Sequence, residues 1–125
     1  MRSADGVKLT ICARSPWNRT GFRVSAGQSY RFVAVGRWCD ASNCCGADGY
    51  ESSSPVLKVF ERRRRVKNAR WFALIGSVGG KYRFVIGSAS EWTAPANGEL
   101  WCFANDVRFM YWNNAGAVNL TVTER

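Results

Sequence analysis

The chain has 125 residues, 46% of them hydrophobic and 14% aromatic, with a formal net charge of +9 and no histidine. That length and apolar content exclude a disordered polymer and give one domain able to bury a core without staples. The lack of histidine removes the commonest general base and the commonest transition-metal ligand.

In chain order, Met1 to Asp5 is not followed by an apolar core, so no cleavable export signal is expected. The expected compartment is either the cytoplasm or the outside by a route without such a signal. No apolar run approaches the roughly 20 residues of a membrane span. Val7, Leu9 and Ile11 then alternate with Lys8, Thr10 and Cys12. Phe22 and Val24 alternate with Arg23 and Ser25, and Tyr30, Phe32 and Ala34 with Arg31, Val33 and Val35. A period of two marks strands with one buried face. Leu57 to Phe60 is a shorter strand candidate. Trp71 to Val78 and Tyr82 to Ile86 flank Gly79-Gly80, a hairpin signal. Glu99 to Asn105 and the alternation of Val118, Leu120 and Val122 complete about eight short strands. The expected fold is all-β, a jelly-roll-like β-sandwich of two antiparallel sheets spanning residues 1–125. Trp17, Trp71 and Trp101 lie on strand patterns and read as core.

Five cysteines occur, at 12, 39, 44, 45 and 102. Cys39 is spaced to close a small loop with either Cys44 or Cys45, and the odd count leaves a thiol over. Cys12 and Cys102 read as buried apolar residues.

Two long segments, Cys39 to Pro55 and Glu61 to Arg70, are loops on which function tends to sit. The second holds Arg62, Arg63, Arg64, Arg65, Lys67 and Arg70, a third of the 18 basic residues. A run of this kind is usually a solvated edge; its functional reading is a surface for acidic polymers, anionic glycan or nucleic acid.

The last quarter carries the oxygen donors. Asp106, Asn113 and Asn114 stand within nine residues and are of the type calcium prefers. The same residues build ordinary turns, so spacing alone leaves both uses open. Enzyme signatures are missing: there is no Gly-x-Ser-x-Gly elbow and no phosphate-binding glycine loop. Asp40 and Asp106 form a conceivable carboxylate pair for glycoside hydrolysis, but a metal ligand does not serve freely as an acid. The chain is expected not to be an enzyme.

Several blocks together resemble the LecA (PA-IL) type of soluble calcium-dependent bacterial lectin. These are Pro16 to Val24 with Gly27, Ala34 to Asp40, Gly46 to Gly49, Ala73 to Gly76, Thr93 to Pro95, and Asn105-Asp106-Val107 with Tyr111-x-Asn113-Asn114-x-Gly116. The resemblance implies a galactose-binding-like sandwich in which sugar hydroxyls complete the coordination of Ca²⁺. It places Asp106, Asn113 and Asn114 as ligands, with the Met110 carbonyl, and puts Asp40 at another ligand position. It implies sugar contacts at Asp106, Asn113, Val107, Asp40, Trp112 and Tyr50, and a homo-oligomer. The chain departs from the family's galactose binder at Asp40 and Met110, where that protein has tyrosine and threonine. The sugar-contacting histidine of that protein is also missing.

Overall fold

Strands form where the period-two pattern runs. The computed structural model describes residues 6–51 and 63–125. Among them are nine strands: β1 (Val7–Cys12), β2 (Asn18–Val24), β3 (Ser29–Asp40), β4 (Asn43–Cys45), β5 (Leu74–Val78), β6 (Tyr82–Val85), β7 (Ala89–Thr93), β8 (Gly98–Ala104) and β9 (Asn114–Glu124). A 3-10 helix, Arg108–Asn113, joins β8 to β9.

One sheet runs β1-β9-β3-β4, with β7 also paired to β3; the other runs β2-β8-β5-β6. Every strand pairing is antiparallel. This is the expected β-sandwich. Between the sheets lies one continuous core that includes Ile11, Tyr30, Phe32, Trp38, Phe72, Leu74, Leu100, Val118 and Leu120. Burial of such aromatic and aliphatic side chains is the main stabilising term, at about 25 cal/mol per Å² of apolar surface.

The longest pairing sets up one end of the sandwich. β3 stays in register with β9 from Tyr30↔Glu124 to Asp40↔Asn114. Val33 and Val35 face outwards while Phe32 and Ala34 face in. The pattern becomes unreadable at Gly36, yet the strand continues, so that Trp38 is fully buried and Asp40 ends the strand on the inward face. The Gly79-Gly80 hairpin forms as expected, both residues at positive φ, with Val78 opposite Tyr82.

Several expectations are corrected. Cys12 is exposed, because it shares the outward parity of Lys8 and Thr10. Cys102 is buried. Cys39 pairs with Cys44, directly opposite in the β3–β4 register, and Cys45 is a buried thiol. Trp71 is core, but Trp17 and Trp101 are half-buried and meet edge-on with ring centroids 6.1 Å apart. β4 and β7 were not expected. β7 carries one large inward residue, Trp92, which stacks on Phe84 at 3.9 Å. The strand candidate Leu57 to Phe60, Arg62 and the terminal Met1 to Asp5 lie outside the described residues.

Candidate functional site

Asn113-Asn114-Ala115-Gly116 reads as a turn, but Asn114 is the first residue of β9. Its register partner is Asp40 at the end of β3, and the Ala41 amide donates to the Asn113 carbonyl at 3.1 Å. Asp106 lies two residues beyond the end of β8. Three chain segments therefore bring Asp40, Asp106, Asn113 and Asn114 to one end of the sandwich.

The carboxylates are enclosed. Asp106 is 2% exposed and Asp40 is 7% exposed. Asp106 accepts from the Val107 amide at 2.7 Å and from the Asn114 Nδ2 at 3.1 Å. The same Nδ2 donates to the Ala13 carbonyl at 3.0 Å, which turns Asn114 Oδ1 the other way. Oδ1 of both Asn113 and Asn114 is buried without a hydrogen-bond partner. Among the described residues no cationic side chain pairs with Asp40 or Asp106. Burial, followed by the charge of Asp40, lifts Asp106 to about 6, while its bonds to Val107 and Asn114 oppose the shift. Burial likewise raises Asp40, partly countered by the Tyr50 hydroxyl.

Such an arrangement is costly as it stands. A buried carboxamide oxygen left unpaired costs about 1–3 kcal/mol, and an unpaired carboxylate costs more. Buried oxygens with no cationic partner among the described residues are donors of the type a hard cation takes, although Asn114 turns its nitrogen rather than its oxygen to Asp106. Among the described residues no group of three or more histidine, cysteine, aspartate or glutamate side chains converges, so further donors would be amides and carbonyls.

The other residues singled out from sequence take different positions. Tyr50 donates to Asp40 at 2.8 Å and packs its ring on the core, and burial with Asp40 raises its hydroxyl pKa. Gly49 allows this: its φ is +77°, and a Cβ there would stand 2.2 Å from the Trp71 carbonyl. Val107 is buried and offers its backbone to Asp106. Met110 donates its amide to the Val107 carbonyl at 2.9 Å. Trp112 is 69% exposed beside Asn113. Trp38 is wholly buried and bonds the Phe72 carbonyl.

Sequence reasoning missed Asn105. Its side chain accepts from the Val66 amide at 2.9 Å and donates to the carbonyls of Val66, Ala69 and Arg70 at 2.9, 3.2 and 2.9 Å. It fastens the arginine segment to the end of β8, next to Asp106. Nothing local in the sequence signals partners 35–39 positions away.

The basic segment forms a second feature. A cleft of about 410 Å³ is lined by Arg63, Arg64, Arg65, Lys67, Arg83, Val107 and Arg108. Arg83 and Arg108 come from elements outside the run, which sequence reading did not join to it.

No family model matches the chain, and no curated protein does. Eight solved chains match its structure. One is described as "EclA N-terminal domain; PllA-like lectin": it superposes with a TM-score of 0.77 at 20% identity, over 98% of this chain and all of that one. At that identity the likeness establishes a lectin-like β-sandwich fold.

Proposed function

We propose that this chain is a non-catalytic carbohydrate-binding module that holds its glycan at a calcium ion bound by Asp106, Asn113 and Asn114. The observation that carries the reading is the pair of unpartnered carboxamide oxygens buried beside two carboxylates without counter-charge. Its fold is that of a domain described as a lectin, which supports the same class.

When bound, calcium would supply coordination positions at which neighbouring sugar hydroxyls replace water. The remaining roles belong to the chain. Asp106 is held by the Val107 amide; Asn114 turns its Nδ2 to Asp106 and Ala13, so its carboxamide would rotate to place Oδ1 on the same ion. Asp106 retains lone pairs able to accept from a sugar hydroxyl. Asp40, fixed by Tyr50, adds a second negative charge, and the Met110 carbonyl is a further donor on the connecting helix. Trp112 offers an exposed apolar face for a sugar's C–H face. With Asp40 and Met110 at the positions that differ from the galactose binder, the ligand is a galactose-like or related glycan.

Glycan-array binding with and without EDTA, together with calcium calorimetry on wild type and Asp106→Ala, tests the reading. Binding is expected to vanish in EDTA and in the variant, with the fold retained by circular dichroism. Glycan binding that survives EDTA overturns it.

A further inference from the structure

The cleft on the other side of Val107 gathers positive charge. Arg64, Arg65, Lys67, Arg83 and Arg108 all line it. Among the described residues, the ion pairs involve Arg19, Arg31 and Arg125, and none of these five cleft residues meets a described carboxylate.

The guanidinium groups are positioned by rings and carbonyls instead. Arg65 lies 3.4 Å from the Phe103 ring centroid and 4.4 Å from that of Trp17. It donates to the Pro16 carbonyl and to the Tyr111 hydroxyl, the latter at 3.0 Å. Its Nε and second terminal nitrogen are buried with no acceptor. Arg64 packs over Trp71 at 5.1 Å and donates to the Lys67 carbonyl at 2.8 Å, leaving its buried Nε without an acceptor. Arg83 donates to the Arg65 carbonyl at 3.2 Å and stands 5.7 Å from the ring centroids of Trp17 and Phe103. Arg108 is exposed at the start of the 3-10 helix. Like charges gathered in one concavity repel one another, and buried N–H donors without acceptors are costly. The repulsion is relieved by one kind of occupant, a compact oxyanion that accepts several N–H bonds at once from the guanidinium atoms that line the cleft.

The cleft also adjoins the proposed glycan site. Val107 lines the cleft while its amide holds Asp106, and the Arg65 amide donates to the Asp106 carbonyl at 3.2 Å. We propose that this cleft binds an oxyanion, and that it selects glycans bearing a sulfate ester or a carboxylate next to the sugar held at Asp106. The anion site stands on the cleft alone; its use in choosing a glycan rests on the function proposed above.

The first measurement uses inorganic sulfate as probe, titrated by NMR at constant ionic strength in EDTA. Saturable shifts of the Val107 and Arg108 amides are expected. Arg108→Gln should weaken sulfate about three-fold or more, and Arg83→Gln with Arg108→Gln about ten-fold or more. The single variant removes an exposed side chain and leaves the packed arginines alone. A control, Lys8→Gln with Arg23→Gln, lowers net charge equally at exposed positions away from the cleft. If the control weakens sulfate as much as the double variant, or if shifts do not saturate, the inference is overturned. The second measurement compares matched neutral, sulfated and carboxylated glycans in calcium. The double variant should lose the preference for the acidic members and keep affinity for the neutral one, and the preferred acid identifies the group. Sulfate binding without any calcium-dependent glycan binding would reject the proposed function and keep the anion site. Neutral-glycan binding without sulfate binding would do the reverse.

Discussion

Among the described residues, Asp40 and Asp106 on one side of Val107 are buried with carboxamide oxygens and no cation; on the other, Arg64, Arg65 and Arg83 gather around aromatic rings and meet no carboxylate. The two groups are chain neighbours, joined by the Arg65 amide and the Asp106 carbonyl. They do not cancel: Arg65 turns its guanidinium to Phe103, Trp17 and Tyr111, and no arginine is among the groups that shift Asp106. A purely structural solution would pair them. Keeping opposite charges apart costs stability and preserves two fields of opposite sign, each available to a ligand.

The sharpest way to break that contrast is to remove the acidic side. Asp106→Ala is expected to weaken calcium about 100-fold or more by calorimetry while sulfate affinity in the cleft is unchanged. Loss of both would make the two sides one unit.

Acidity should separate them as well. Burial puts folded Asp106 at about 6, above its ordinary 3.8. The folded chain therefore holds this proton more tightly than the unfolded chain does. Cation-free stability should rise as pH falls from 6 towards 4, by on the order of 2 kcal/mol, as urea melts would show. Calcium requires the carboxylate, so its affinity should fall across the same window. Sulfate, held by guanidinium groups, should keep its affinity there.

A smaller effect concerns the turn beside Asp40. Reducing Cys39–Cys44, separated by five positions, should cost about 2 kcal/mol on the loop-entropy model, read as a thermal shift. Calcium affinity should fall with it, and the sulfate cleft should not respond. Smallest of all, Trp112→Ala should change stability by less than about 0.5 kcal/mol, because the ring is exposed. Glycan affinity should fall by about 1 kcal/mol with calcium binding intact. Unaltered glycan affinity would remove Trp112 from the recognition surface.

Most of the sandwich was legible because it follows one rule. Val7, Leu9 and Ile11, or Tyr30, Phe32 and Ala34, alternate regardless of what lies far away in the chain. The rule stopped at Gly36, which has no side chain to count, although β3 runs on to Asp40. β7 escaped because Ser90 and Trp92 make too weak an apolar face. The oxygen donors were legible as residue types, but their setting was not. Asn114 looks like a turn residue and instead opens a strand opposite Asp40, a pairing across 74 positions. A local rule failing at a polar, buried strand end is what a functional position produces. Arg83 and Arg108 join the basic run through space alone.

The hold that Asn105 keeps on Val66, Ala69 and Arg70 has a consequence for how such a module changes over time. One carboxamide in the rigid body of the sandwich supplies side-chain hydrogen bonds that anchor the segment. Since those bonds end on backbone atoms, the anchor is indifferent to the side chains of the residues it grips. The exposed positions Lys67, Asn68 and Arg70 can therefore be rewritten, by drift or by a designer, while Val66 and Ala69 stay packed and the backbone anchor is kept. New ligand preferences could be grafted there provided Asn105 stays.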